Sequence, residues 1–180
     1  MVATPPSLDR FIMLNLLAQL LKALNSESAP GQIGLAVAFA LWVAITPMWT
    51  LNNLLIFTLV LVLRVNLSAF FSALAAFSIL ALALDPISER LGTSLLQMSS
   101  LQPVWTSLYQ QGIWRVLQFN NTLMLGGTVL ALLAFLPVSL LTRMLVVQYR
   151  ARLLVWIQKF KIVQALKASK FYQWYRAAAE

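Results

Sequence analysis

The chain contains no cysteine and no histidine, and only five acidic residues among 180. The first absence excludes structural disulfides and cysteine-based metal sites. The second removes the commonest metal ligand and general base together. A Ser-His-Asp relay cannot be assembled. The acids, Asp9, Glu27, Asp85, Glu89 and Glu180, all fall outside the apolar runs. That excludes a paired-aspartate intramembrane protease and argues against a proton relay inside the bilayer. A Ser–Lys dyad has little to draw on either, because the lysines are Lys22 and those of the carboxy-terminal region. With so few groups able to serve as acid, base, nucleophile or ligand, the expectation is a protein that is not an enzyme and carries neither metal nor cofactor.

Charge of either sign is scarce. Only 10 % of the residues are charged and 61 % are hydrophobic, whereas an ordinary soluble domain is about a quarter charged and about 45–50 % apolar. Residues 33–63, 65–84 and 116–142 contain no charge at all. Runs of ~18 or more such residues match the ~30 Å hydrocarbon core of a bilayer. A soluble core helix would show polar residues on one face every turn, and these runs do not. The expected fold class is an all-α integral membrane protein.

Along the chain, Pro5 and Pro6 make an extended start, and Ser7 is placed to cap an amphipathic helix from Leu8 to about Leu24. Its apolar positions Leu8, Phe11, Ile12, Leu16, Leu20 and Leu24 recur at helical spacing, with Asp9, Arg10, Asn15, Gln19 and Lys22 on much of the remaining surface. The poor cleavage site after Leu21 and the lack of Lys or Arg before Arg10 favour a retained helix over a signal peptide. It either lies in the membrane interface or packs on the helices that follow. Residues 25–31 are a turn-rich linker.

The run 33–63 is the most informative. As one straight helix it would be roughly 46 Å long at ~1.5 Å per residue, half again the hydrocarbon thickness. Pro47 lies near its middle, with Thr46, Trp49, Thr50, Asn52 and Asn53 around it. Proline disfavours helix in the residue before it and suits the first turn of a new helix, so Thr46 is expected to cap a second helix starting at Pro47. Two structures fit: a re-entrant helical hairpin, or one long helix kinked at Pro47. Arg64 and Asn66 close this segment. Residues 67–84 read as a first transmembrane helix ending at Asp85-Pro86. Residues 87–118, with Trp105, Tyr109 and Trp114, read as a surface helix at headgroup level. Residues 122–142 read as a second transmembrane helix, broken late by Pro137. The expected organisation is therefore 1–29 amphipathic helix and linker, 30–145 membrane domain and 146–180 basic helical tail.

Arg143, Arg150, Arg152, Lys159, Lys161, Lys167, Lys170 and Arg176 are eight of the thirteen cations, which places the tail on the cytoplasmic side. Val146, Tyr149, Leu153, Trp156, Phe160, Val163, Phe171 and Trp174 give the tail an apolar stripe interrupted by Lys167. Arg150, Arg152, Trp156, Lys159, Lys161, Lys167 and Lys170 are candidates for contact with anionic lipid or a partner's helix. No motif that reads nucleic acid accompanies the net charge of +8.

The best candidate site is the middle of the first apolar run. A helix amino terminus inside a membrane carries about half a positive charge and bare N–H groups. Broken helices use such ends to hold anionic groups. Thr46, Pro47, Trp49, Thr50, Asn52 and Asn53 would form this site, with Arg64 and Asn66 at the end of the segment. Arg64 is either a snorkelling anchor or a partner for a lipid phosphate or for Asp85. The competing reading is that the threonines and asparagines only repair backbone hydrogen bonds freed by Pro47. Ala44-Ile45-Thr46-Pro47 and Ala134-Phe135-Leu136-Pro137 align at an offset of 90, which raises an internal repeat. Small residues at four-residue spacing (Gly34 with Ala38; Ala36 with Ala40 and Ala44; Ser68 with Ser72 and Ala76) suit close helix packing, within the chain or between copies.

From Pro30 to about Gln97 the chain resembles the bacterial family called domain of unknown function 2062. The likeness rests on Pro30, the small and apolar run Ile33 to Ile45, Pro47 within TPMW, the Leu63-Arg64-Val65-Asn66 element and the segment around Gly92. Where relatives often carry Asn-Pro, this chain has Asp85-Pro86, and Trp49-Thr50-Leu51-Asn52 stands where a Gly-Gln pair is common. The resemblance implies a protein of the bacterial envelope. Together with the small size, the lack of catalytic groups and the basic tail, it leads to an expected function. The chain reads as a non-catalytic accessory subunit of the inner (cytoplasmic) membrane, contacting lipid and binding a larger envelope or lipid-handling protein. The alternative is a small transporter or channel, oligomeric around helices broken at Pro47.

Overall fold

Helix α1 (Pro30–Ala44) has no polar face. Ile33, Gly34, Ala36, Ala38, Phe39, Ala40, Leu41 and Val43 are all buried, and they point around the whole helix rather than along one stripe. A helix apolar on every side has to be surrounded. The rest of the chain supplies that surround in a computed structural model that describes residues 28–153. The chain continues with α2 (Leu51–Val62), α3 (Leu67–Gln97), a short 3-10 turn (Ser99–Leu101), α4 (Gln102–Gln110), α5 (Gly112–Val116) and α6 (Thr122–Gln148), which ends in a π turn (Tyr149–Leu153). No strand occurs among the described residues. The amphipathic helix expected over 8–24 and the basic tail beyond 153 lie outside them.

The helix ends are set by side chains that the sequence places where orphan N–H groups need acceptors. Thr50, Asn66 and Asn121 are the N-caps of α2, α3 and α6, and each accepts from the backbone N–H three residues on: Asn53 at 3.3 Å, Ala69 at 2.8 Å and Met124 at 3.0 Å. Helix α2 stops in a Schellman motif. Arg64 adopts a left-handed φ of 50°, its N–H bonds to the Leu61 carbonyl, and the Val65 N–H bonds back to Val60. Val60 and Val65 are both buried in the core, the hydrophobic contact that accompanies this motif. The α5 end repeats the device, with Gln118 at φ 57°.

The course of the helices follows from a few close approaches. Gly34 of α1 lies against the Ser139 carbonyl of α6, and Gly127 of α6 lies against Ile45, so α1 and α6 run antiparallel. Gly92 faces Thr122 and Gly126 faces Ser88, so α3 and α6 are antiparallel too. Helix α2 returns alongside α1. Asn66, just past α2, donates through Nδ2 to Ser28 Oγ at 2.9 Å, although 38 residues separate them. Arg150, at the end of α6, donates to the Ser28 carbonyl at 3.0 Å. The start of α1, the end of α2, the start of α3 and the end of α6 therefore share one end of the bundle. One core cluster joins Ile33, Phe39, Ile56, Val60, Phe70 and Val146 across these four helices, and Leu41, Ile45, Ala81 and Ala131 form a second. The alanine and glycine stripe of α1 is used within the chain, whereas Ser68 and Ala76 on α3 are exposed.

Several boundaries differ from those expected. The second helix starts at Leu51 with Thr50 as its cap, not at Pro47 with Thr46 as its cap. The first long helix does not end at Asp85-Pro86. It runs through Pro86 to Gln97, so 87–118 is the last part of α3 followed by short helices, not one surface helix. Helix α6 likewise passes through Pro137 unbroken, and it continues across residues 145 and 146. Both prolines sit between anchored flanks: Ala81 precedes Pro86 while buried Ser88 and Gly92 follow it, and Ala131 precedes Pro137 while buried Val146 follows it. Packing on either side holds the helix course, although each ring removes one ladder hydrogen bond. The offset-90 repeat therefore has no structural counterpart.

Glycine is required where α3 crosses α6. A Cβ on Gly126 would fall on the Ser88 carbonyl, whereas one on Gly31 would meet nothing within 4 Å. Gly126→Ala is expected to destabilise the protein by about 1–3 kcal/mol through forced separation of the helices. Gly31→Ala is expected to leave stability unchanged or raise it by up to about 1 kcal/mol. Thermal unfolding of the purified protein in detergent checks both, and equal midpoints for the two variants would contradict the close crossing.

Candidate functional site

Residues 45–50 separate α1 from α2, and the reversal leaves partly buried backbone carbonyls without helical partners at the apex of an apolar hairpin. Such groups are costly unless paired. Asn53, 1 % exposed, supplies most of the repair. Its Nδ2 donates to the Pro47 carbonyl at 3.0 Å and to the Met48 carbonyl at 3.4 Å. Its Oδ1 accepts from Thr46 Oγ1 at 2.8 Å. The single Thr46 hydroxyl proton lies between that oxygen and the Trp42 carbonyl, 2.9 Å away in the last turn of α1. Thr50 Oγ1 donates to the Pro47 carbonyl at 3.0 Å while accepting from the Asn53 N–H. The three side chains thus close one network around Pro47.

The expected site residues divide accordingly. Thr46 and Asn53 are buried, and their hydrogen bonds are made within the turn, as the repair reading requires. Thr50 is committed to capping. Asn52 differs from its neighbour, because its Nδ2 is buried without a hydrogen-bond partner. Trp49 stands at the apex with 93 % of its surface exposed, and Met48 beside it is also open. Together with Leu51, Leu54 and Phe57 they line an open apolar groove of about 600 Å³. A second groove of about 330 Å³ lies on the other side of Met48, between Thr46 and α3, where Phe71, Leu74 and Ser78 wall it. The apex is therefore apolar outside and polar inside.

Arg64 and Asn66 do not join this turn. They sit at the opposite end of the hairpin, with exposed Arg64 in its left-handed bend and Asn66 tied to Ser28. Arg150 is at that same end, half-buried on the Ser28 carbonyl, and Arg152 is exposed. Trp156, Lys159, Lys161, Lys167 and Lys170 lie outside the described residues. Among the described residues, Arg64, Arg143, Arg150 and Arg152 occupy this basal end, while Asp85, Glu89, Arg90 and Arg115 belong to the far end. Two features escaped the sequence reading. One is the Gly126-Gly127 pair, which lets α6 touch Ser88 with one residue and the Pro47 turn with the next. The other is an aromatic pocket around Phe119. Adjacent glycines in an apolar run were the available signal for the first.

These features define a small all-helical protein, two of whose helices, Leu67–Gln97 and Thr122–Arg152, are long and apolar enough to cross a membrane. Helices α1 and α2 are shorter apolar helices. Residues 15–154 match a bacterial family described as "Uncharacterized protein conserved in bacteria (DUF2062)", and the chain belongs to it. The match extends well beyond the Pro30–Gln97 stretch that carried the resemblance, and takes in α4 to α6. The chain is also 30 % identical over 141 residues to an uncharacterized protein of Treponema pallidum, covering 78 % of this chain and 87 % of the relative. No solved structure matches.

If Asn53 holds the turn, Asn53→Ala strands the Met48 carbonyl, leaves the Pro47 carbonyl with the Thr50 hydroxyl alone, and should cost about 1–3 kcal/mol. Asn52→Ala breaks no hydrogen bond and should stay within about 0.5 kcal/mol of the parent. Chemical or thermal unfolding of both in the same detergent distinguishes them.

Proposed function

We propose that the protein is a non-catalytic accessory subunit of the bacterial inner membrane, whose α1–α2 hairpin enters the bilayer from the cytoplasmic side and turns back within it. One observation carries this reading: the Ser28–Asn66 hydrogen bond closes the hairpin at the end that holds Arg64, Arg143, Arg150 and Arg152. Charge bias then assigns that end to the cytoplasm, with α3 and α6 as the two spans. The charges at the far end, Asp85, Glu89, Arg90 and Arg115, sum to zero.

Length supports the re-entrant placement. Helix α1 has 15 residues and α2 has 12, so at ~1.5 Å per residue they reach about 22 and 18 Å, short of a ~30 Å core. The groove beside Met48 is walled by α3 residues Phe71 to Ser78, which lie roughly 6–16 Å along the helix from Leu67. The apex accordingly sits within the hydrocarbon. With its amides and hydroxyls turned inward, it offers acyl chains Trp49, Met48 and Leu54 rather than offering a headgroup a set of donors. The exposed apolar row of α2, including Leu54, Leu55, Leu61 and Val62, is a further surface for lipid or for a partner's helix.

A cysteine replacing Trp49, labelled with an environment-sensitive fluorophore in vesicles, should emit as from hydrocarbon and be quenched best by lipids brominated deep in the acyl chain. Emission typical of water at that position would sink the re-entrant reading. The subunit role predicts that a photo-crosslinker at Leu61 in native membranes yields a discrete protein adduct. Lipid adducts alone would argue against it.

Buried polar atoms without hydrogen-bond partners favour a second reading. Among the described residues, besides Asn52 Nδ2 they are Trp42 Nε1, Ser88 Oγ and Thr128 Oγ1, all on α1, α2, α3 and α6. A transporter or channel formed by several copies would use such groups along a polar path. Solute or ion flux in proteoliposomes containing only this protein would support it, and their tightness would favour the subunit.

A further inference from the structure

A second site lies away from the hairpin, where the end of α3, α4 and the loop into α6 flank an open groove of about 450 Å³. That size falls in the ~300–1,000 Å³ range of small-molecule sites. Its floor is Phe119, 8 % exposed, stacked on Trp105 at 6.0 Å and meeting Tyr109 edge-on at 6.5 Å. The left-handed turn at Gln118 delivers Phe119 there, in the position that follows a Schellman bend. Trp105 is held in orientation by its indole N–H, which donates to the Leu95 carbonyl at 3.0 Å. The rim is made of carboxamides, Gln102, Gln110 and Asn120. Gln102 donates to the Leu96 carbonyl through Nε2 and keeps its Oε1 available. The side chains of Gln110 and Asn120 make no hydrogen bond within the described chain, so both amides present a full set of donors and acceptors.

The chemistry of the lining selects its ligand. Residues 97–121 contain no acid, so nothing there pairs with a cation. The one cation, Arg115, lies over the Tyr109 ring at 5.8 Å and disfavours a bound ammonium further. An anion would find no cation among the residues that line the groove, because Arg115 is not one of them. A wholly apolar ligand would bury the rim amides without partners, at a cost. What remains is a neutral molecule that has apolar C–H faces to lay on aromatic rings and many hydroxyls to both give and accept hydrogen bonds. We propose that this pocket binds a neutral saccharide, with the sugar's C–H face against Trp105 and Tyr109 and its hydroxyls on Gln110, Asn120 and Gln102. The sugar comes either free or as the headgroup of a glycolipid. The second source is within reach, since Gly92 meets Thr122 where α6 begins its apolar run, and the pocket wall at Leu96 is one turn beyond.

The test uses the full chain in nanodiscs of phosphatidylethanolamine and phosphatidylglycerol, free of glycoside detergents, with saturation-transfer NMR on glucose, N-acetylglucosamine and maltose. Transfer to the ring C–H protons of at least one sugar is expected, weakening at least about fivefold in the Gln110→Ala/Asn120→Ala double variant. Tyr109→Leu should weaken it comparably. Gln97→Ala, an exposed amide outside the groove, should leave it unchanged. Absence of transfer to all three sugars, transfer that survives the double variant with helical content intact, or displacement by inorganic phosphate would overturn the proposal. Adding monoglucosyl diacylglycerol to the discs separates the two sources. Loss of the free-sugar signal identifies a lipid headgroup as the ligand, and persistence identifies a free sugar, the saccharide class standing in either case.

Discussion

The structure depends on one buried carboxamide. Asn53 answers the Pro47 and Met48 carbonyls and receives the Thr46 hydroxyl. The two carbonyls have no backbone partner in either helix. With them paired, the chain can reverse in six residues inside an apolar bundle. Without the reversal α2 could not lie along α1, and α1, apolar on every side, would lose one of its three neighbours. The Ser28–Asn66 contact at the base and the Gly127–Ile45 contact at the apex follow from the same turn. A polar trio of two threonines and one asparagine thus sets the position of a hydrophobic hairpin.

Comparison of the prolines shows that the ring alone does not decide a helix's fate. Pro47 is followed at three and six residues by Thr50 and Asn53, which cap a new helix and pair the freed carbonyls. Pro86 is followed at those offsets by Glu89 and Gly92, and Pro137 by Leu140 and Arg143. Neither of these supplies a cap, and both helices continue. Breaking a helix in an apolar setting requires new partners for the backbone groups released, and only one of the three sites has them. The same reasoning shows why a likeness between 44–47 and 134–137 does not make a structural repeat.

The two ends of the bundle differ in chemistry. The basal end gathers four arginines around the start of α1, one of them in a left-handed conformation where glycine is the usual occupant. The far end is nearly neutral and rich in amides and aromatic rings. Between them the outward faces of α2, α3 and α6 are apolar, with residues such as Leu61, Leu82 and Leu133 open. Under the proposed placement, the cations face an anionic membrane surface on one side, the amides face small neutral polar molecules on the other, and the middle is suited to acyl chains. The grooves beside Met48 extend that apolar middle to the apex, and they do so because the turn's own amide and hydroxyls face inward.

Much of this could be read from residue order. The charge-free runs, the absence of histidine and cysteine, and Asn66 opening a long helix all hold without any knowledge of contacts, because bilayer thickness and the donor inventory of side chains act locally. The discontinuity near Pro47 was legible for the same reason, though not its cap, since Thr46 and Thr50 are equally good acceptors by type. Tertiary packing made the remaining decisions. It chose Thr50, because Thr46 is drawn onto Trp42 and Asn53. It carried helices through Pro86 and Pro137, because residues on both sides are pinned to neighbouring helices. It turned Asn53 into the turn's internal partner and left Asn52 beside it unpaired, two roles that identical side chains cannot reveal. It also folded Phe119 under Trp105 to make a pocket from residues that, in sequence, suggested only a helix at the membrane surface. Sequence by itself determined which segments are apolar and which backbone groups need partners, since those are properties of single residues. Which partners they find depends on distances between segments far apart in the chain, and only the packed structure contains those distances.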